Sequence, residues 1–258
     1  ALYPDHGRSA ELLIAHADAA MYRAKQLRSP CEFFKAAAAP DTVVQALQGF
    51  CSEELGAFYL DILKDRLYTT GTDSKPRRAA QSALWHVLQT LIRLMAPVLT
   101  FTAEEIWQGL MKNPEDSVML ATWHTLPEQA EESVLVTRWQ QIRAVRAEVS
   151  KVLEELRVAG KIGSSLQAEV EIRASGAKHG LLDSLGNDLR LVLICSKATL
   201  AKVGDTAVEG IAAEPSPHAK CPRCWHWRED IGKNAEHPEL CGRCDANLHG
   251  AGEPRSHA

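Results

Sequence analysis

A chain of 258 residues, 45% hydrophobic and 24% charged, has ample material for one large domain or two to three small ones. Its net charge of −4 argues against a wholly basic nucleic-acid coat, so any contact with RNA or DNA must come from local basic patches. No apolar run approaches about 18 residues and no basic n-region leads into an apolar h-region. This speaks against a membrane span or a visible secretion signal, and for a cytoplasmic location.

Residues 1 to 30 open with a turn at Tyr3-Pro4-Asp5-His6-Gly7. Ser9 is placed to cap a helix with an apolar face of Leu12, Leu13, Ala17, Ala20, Met21 and Ala24, and Arg23, Lys25 and Arg28 favour its C-terminal end. His16 and Asp18 read as its solvated face. From Cys31 the composition turns strongly helical. Asp41 is a plausible N-cap for a helix from Thr42 to about Gln48, and Ser52-Glu53-Glu54 restarts one that presents Leu55, Phe58, Tyr59, Ile62 and Leu63. A polar loop from Thr69 to Ser74 follows, and Pro76 suits the first turn of the next helix. There Leu84, Val87, Leu88, Leu91, Ile92 and Met95 repeat at helical spacing. Burial of each such side chain contributes about 1.5–3 kcal/mol.

Pro97 must interrupt the ladder, after which Thr102 and Glu105 offer a capping box for a short helix carrying Ile106, Trp107 and Leu110. A looser stretch runs through Trp123 to Pro127. A long helix is predicted from about Val134 to Ala159, with Gly160 positioned to end it. From Gln167 the period shortens, and Ala168, Val170 and Ile172 alternate with polar residues as in a half-buried strand. A helix at about 177–188 and apolar strands at 191–195 and 198–203 complete a small α/β unit, and Pro215-Ser216-Pro217 reads as a stiff linker. The fold class is mostly α: a helical bundle, then a small α/β unit, then a module defined by cysteines. The domain divisions expected are 1–30, 31–160, 161–214 and 218–248, with a disordered tail at 249–258.

The cysteine module carries the clearest chemistry. Cys221-Pro222-Arg223-Cys224 is answered by Cys241-Gly242-Arg243-Cys244 after sixteen intervening residues. Two such knuckles can wrap four thiolates around one Zn²⁺, which then has no position left for water and is structural, not catalytic. Two disulfides or a redox pair are the alternatives. His218, His226 or His237 could replace one thiolate. Cys31, Cys51 and Cys195, which stand alone in apolar or helical contexts, suit buried thiols of a reducing compartment better than an odd-numbered disulfide scaffold.

Two resemblances follow from longer words. Ala1 to Gly7, Leu12-Leu13 and His16 to Lys25 resemble the closing strand, turn and helix of a diguanylate cyclase domain, without the Gly-Gly-Asp-Glu-Phe signature that would carry cyclase activity. Asp61 to Thr69, Arg77 to Gln81, Ala96 to Trp107, Lys161 to Leu166 and Lys220 to Trp225 resemble, in order, signatures of the C-terminal portion of bacterial isoleucyl-tRNA synthetase, from about residue 31 to 248. The join near Ser29 to Phe34 reads as a chimera, unless residues 1–30 simply add a helix that packs on the bundle.

The second resemblance implies that residues 31–160 are a helical anticodon-binding domain, followed by a junction unit and a zinc module that hold isoleucine tRNA. The His-Ile-Gly-His and Lys-Met-Ser-Lys-Ser signatures of that family's nucleotide-binding core do not occur. The chain is therefore expected to bind without aminoacylating, as a monomer, with catalytic and editing domains as its missing partners and ATP needed only by the full-length enzyme. Candidate tRNA contacts are Lys64, Arg66, Arg77 and Arg78 around one helix-loop-helix junction, Arg143 and Arg146 on the long helix, and Arg223 with Trp225 on the first knuckle. Trp225 would serve as a stacking platform or would pack over the zinc site. A zinc-finger DNA-repair protein of the glycosylase type and a degenerate cyclic-dinucleotide signalling protein are the competing classes.

Overall fold

The computed structural model describes residues 10–26, 40–111, 117–204 and 206–257, and it groups them into two compact units. The predicted turn at Tyr3 to Gly7, the Ser9 cap and Cys31 lie outside the described residues. The first unit comprises residues up to Asp61 together with Leu88–His124. It contains helices α1 (Ala10–Gln26) and α2 (Pro40–Gly49), the C-terminal part of α4 (Lys75–Met95), and α5 (Thr100–Leu110). Asp41, expected to cap α2, lies inside it.

The restart expected at Ser52 is absent. The chain continues from α2 through a π-helical stretch, Phe50–Leu60, straight into α3 (Asp61–Thr69). Gly56 explains the wider turn: a Cβ there would lie 2.9 Å from the Cys51 carbonyl oxygen, five residues back. The Ser52 hydroxyl donates to the Gln48 carbonyl at 2.7 Å instead of capping a new helix. The capping box at Thr102 and Glu105 does not form either, because α5 begins at Thr100 and its N-cap, Leu99, has no side-chain bond to give. Glu104, not Glu105, is the acid that makes hydrogen bonds here. It accepts from Gln108 at 2.8 Å, from the Ser117 hydroxyl at 2.9 Å and from the Val118 N–H at 3.0 Å, so the loop back from α5 is fastened to the helix.

Ile92, Ala96, Ala103, Trp107 and Val118 form the buried core of this unit, with Leu88, Leu110, Met111 and Ala121 packed against it. Trp107 is 4% exposed. The Arg93 guanidinium covers its ring at 4.7 Å and donates to the Thr122 carbonyl at 2.6 Å.

The second unit comprises Ile62–Val87 and Thr125–Ala258. Helix α6 (Glu132–Val158) buries Ile142, Val145, Val149 and Leu153, and Gly160 follows it at φ +68°, the left-handed conformation that closes a helix. Strand β1 (Ala168–Ala174) is central in a sheet of order β2-β1-β3. It runs parallel to β2 (Lys197–Lys202) and antiparallel to β3 (Gly210–Pro215), with Ile172 opposite Leu200 and Ile211. Helices α7 (Gly176–Asp183) and α8 (Leu189–Val192) lie in the parallel crossover.

Three expectations change here. The helix predicted over 177–188 stops at Asp183 and resumes after Gly186, whose φ of +51° breaks it. The strand predicted at 191–195 is helical through Val192 and then turns at Ile194 (φ +55°), because a short run buried on every side carries no period by which to tell helix from strand. Conversely, Pro215 ends an edge strand, opposite Ala168, where a linker was expected. A two-stranded hairpin, β4 (Ala219–Lys220) and β5 (Trp227–Arg228), and helix α9 (Gly242–His249) carry the cysteines. Among the described residues, no helix is long and apolar enough to cross a membrane.

Ile142 is 1% exposed at the centre of the α6 face. Ile142→Ala should lower stability by about 2–5 kcal/mol, read as an earlier urea midpoint, while the exposed Val158→Ala should change it by less than about 0.5 kcal/mol.

Candidate metal centre and basic surface

The four cysteines of the knuckles are buried, and their sulfurs all lie within 4.8 Å of one another. Cys224 Sγ and Cys241 Sγ are 3.7 Å apart. A disulfide would hold two sulfurs at about 2.05 Å. Tetrahedral zinc with bonds of about 2.3 Å sets them about 3.8 Å apart, which fits one structural Zn²⁺ shared by Cys221, Cys224, Cys241 and Cys244. His226, offered as a substitute ligand, is buried but turns Nδ1 toward the Cys224 carbonyl at 3.2 Å.

Local backbone chemistry builds the first knuckle. The Cys221 carbonyl accepts from Trp225 N–H and the Cys221 N–H donates to the His226 carbonyl, both at 2.9 Å, which forces Trp225 to a left-handed φ of +65°. A bulky residue adopts that conformation at a cost of about 1–2 kcal/mol, and here it turns the ring outward, 61% exposed, with Lys220 Nζ 5.4 Å from its centroid. The second knuckle opens α9, and its Gly242 N–H donates to Asp230 at 3.0 Å. Leu240 and Ile231 supply the apolar packing around the sulfurs.

The sulfurs are electrostatically coupled. Hydrogen bonds from Cys241 and Cys244 pull the Cys224 thiol far down, whereas the hydrogen bond to Cys224 pushes Cys241 up to about 12 and pushes Cys244 up as well. A divalent metal favours the thiolate form of the sulfurs that bind it. Cys195, elsewhere in the unit, is pushed up to about 12 by burial and is an inert core thiol.

A network that the sequence did not suggest fastens the module to α3. Arg243, between the second pair of cysteines, makes a bidentate bond to Asp65 at 2.7 and 2.8 Å, and Arg255 also bonds Asp65. Glu253 accepts from Arg255 and from Asn247, both at 2.8 Å. Burial alone would raise the Asp65 carboxyl, but the hydrogen bond and charge of Arg243, with Arg255 and His226 behind it, hold it well below the usual carboxylate range. The tail expected to be disordered is thus pinned: the Arg255 side chain is 1% exposed, and the Ser256 and His257 N–H groups donate to Asp188 at 2.8 and 2.6 Å.

The candidate basic residues fall into separate places. Arg223 donates to the Thr69 carbonyl at 2.8 Å and Arg77 to the Thr70 carbonyl at 3.5 Å, so both cations sit at the C-terminal end of α3, where the helix dipole favours them. Arg66 lies on α3 half-buried. Lys64 and Arg78 are exposed near the same junction, Arg78 in an ion pair with Asp73 at 2.7 Å. Arg143 and Arg146 lie half-buried on α6, and Arg146 reaches the Val192 carbonyl at 3.0 Å. Arg77, Arg146 and Arg223 thus bond backbone carbonyls, whereas Lys64, Arg78 and Trp225 are exposed.

This combination of a helical chain and a four-cysteine module recurs in known proteins. A family model described as the anticodon-binding domain of tRNA ligase matches residues 37–172, and another described as the zinc finger found in FPG and IleRS matches residues 220–247. The first spans more than half of the chain, which belongs to that family of anticodon-binding domains. The chain is 62% identical over 216 residues to the isoleucine–tRNA ligase of Aromatoleum aromaticum, covering 84% of this chain and 23% of the relative. It is 57% identical over 216 residues to that of Azoarcus sp. (strain BH72), with the same coverage, and 59% identical over 213 residues to that of Dechloromonas aromatica, covering 83% and 22%. The chain thus spans under a quarter of the length of these relatives.

Two outcomes follow. Chelating zinc should remove the ordered structure of residues 218–248 while the far-UV helical signal of the remainder persists, and metal analysis of fresh reduced protein should find zinc. Asp65→Asn should destabilise the second unit by about 3–5 kcal/mol, because it leaves buried guanidinium groups uncompensated. Since the folded-state carboxyl is depressed, its contribution is present above the unfolded aspartate value of about 4 and is lost as pH falls below that toward the folded value. The acid limb of a stability-against-pH profile should flatten in Asp65→Asn.

Proposed function

We propose that this chain serves as the anticodon-arm-binding and zinc-bearing part of an isoleucine–tRNA ligase, an enzyme that catalyses the ATP-dependent aminoacylation of isoleucine tRNA in translation. The observation that carries this reading is the anticodon-binding match over residues 37–172 continuing into a zinc finger of the IleRS type. Anticodon bases are unstacked in their loop, so they are read by stacking and by hydrogen bonds to their edges, while phosphates are met by exposed cations. Trp225, displayed by a knuckle that the metal holds rigid, suits the first task; Lys64 and Arg78 suit the second.

Zinc does no chemistry in this scheme. It fixes a scaffold, and catalytic and editing domains of the ligase supply the reaction. The working form is a cytoplasmic monomer whose partner is isoleucine tRNA. The zinc-finger description is shared with FPG, but the helical match over residues 37–172 favours the tRNA reading over glycosylase-type repair.

Gel-shift competition among isoleucine tRNA, a mismatched tRNA and a nicked DNA duplex tests it. Isoleucine tRNA should compete best, and preference for the duplex would overturn the reading. Stacking of one base is worth about 1–3 kcal/mol, so Trp225→Ala should weaken tRNA binding about tenfold while the chain retains its zinc.

A further inference from the structure

A second group of donors lies within the zinc module, apart from the four sulfurs. His237, Asp245 and His249 each place one ligand atom, a ring nitrogen or a carboxylate oxygen, within 4.8 Å of those of the other two. Asp245 and His249 stand four residues apart on α9 and so share a face of that helix. His237 comes from the loop between the knuckles, which is braced by Leu240 N–H donating to the His237 carbonyl at 3.1 Å and Gly232 N–H donating to the Pro238 carbonyl at 2.8 Å.

The His237 and His249 rings stack with centroids 4.1 Å apart and planes 12° from parallel, so one ring must turn before both nitrogens face one ion. One further observation points to a ligand. Beside them, one carboxylate oxygen of Asp245 is shielded from solvent and accepts no hydrogen bond. An orphaned acceptor of this kind is costly to bury, a loss that a coordinated cation removes.

We infer that His237, Asp245 and His249 form a second metal site, distinct from the four-cysteine centre, that takes a divalent transition-metal ion, with zinc the ion its donors fit. Two imidazoles and one carboxylate are one short of zinc's usual four ligands, so the remaining position falls to water. Nitrogen and oxygen donors without thiolate also accept cobalt and nickel. Zinc bonds of about 2.0–2.1 Å put tetrahedral ligands about 3.4 Å apart, so atoms up to 4.8 Å apart must converge. His249 is exposed and the other two are only partly covered, which leaves them room to turn. Its ligands come from a loop and a helix, so the ion clamps the inter-knuckle loop onto α9. It binds more weakly than the ion in the buried four-sulfur cluster.

The test uses the full reduced chain, loaded with a first equivalent of Co²⁺ and then titrated with a second, and, separately, loaded with one equivalent of Zn²⁺ and titrated with further Zn²⁺ by calorimetry. The first Co²⁺ should give the sulfur-to-cobalt charge-transfer band of the cysteine site, and the second should add visible d–d absorption without raising that band. His249→Ala and Asp245→Asn should each lose the second equivalent, or bind it more than tenfold more weakly, while the charge-transfer band shows that the module remains folded. Saturation of the unsubstituted chain at one equivalent would overturn the proposal, as would full retention of the second equivalent in His249→Ala.

Discussion

Four sulfurs confined to one small, dry volume cannot all be negative on their own. A divalent ion balances their charge, and it fits the sulfur spacing already present, 3.7 Å between Cys224 and Cys241. The knuckle geometry that results decides the rest of the module. It sends Trp225 outward through a left-handed backbone and aims Arg223 at the end of α3. It also starts α9 at Gly242, which carries Arg243 toward Asp65.

Asp65 is the second constraint. Burial opposes its charge, yet paired guanidinium groups from Arg243 and Arg255 reverse the balance, so a residue of α3 becomes the counter-charge for the cysteine module and for the tail. Arginine suits this role because its planar fork engages both carboxylate oxygens at once. The α/β unit adds a second attachment. Ser196 accepts the Trp227 N–H at 2.6 Å, and Ser216 donates to Glu169 at 2.7 Å, where the chain leaves β3 for the knuckles.

Much of this was legible in the residues. The metal ligands could be read from spacing because Cys-x-x-Cys pairs must bring their sulfurs together whatever surrounds them. Helix α6 was legible because it has one buried and one exposed face, so its apolar residues keep a helical period, and α4 because its stripe repeats at the same spacing although only Ile92 of it is buried. Gly160 marked the end of α6 by a conformation that glycine adopts without penalty. What escaped was set by distant partners. Nothing near Lys64-Asp65-Arg66 says that Asp65 answers an arginine far along the chain, and the polar Gly250 to Ala258 stretch looked disordered because its ordering comes from Asp65 and Asp188. Leu191 to Cys195 was ambiguous because it is buried all round, and β3 was hidden by its small residues and terminal proline. The basic residues were found by composition, but their division into carbonyl-bound and solvent-facing groups needed coordinates.

The module therefore acts as a rigid mount. The metal supplies no reaction, the salt-bridge network fixes the mount to α3, and under the proposed function the outward aromatic is what it presents to RNA. Zinc K-edge X-ray absorption on reduced protein carrying one equivalent of zinc tests the central claim most directly. The account predicts a single shell of about four sulfurs at about 2.3 Å. A shell dominated by nitrogen or oxygen, or one with two sulfurs or fewer, would contradict it.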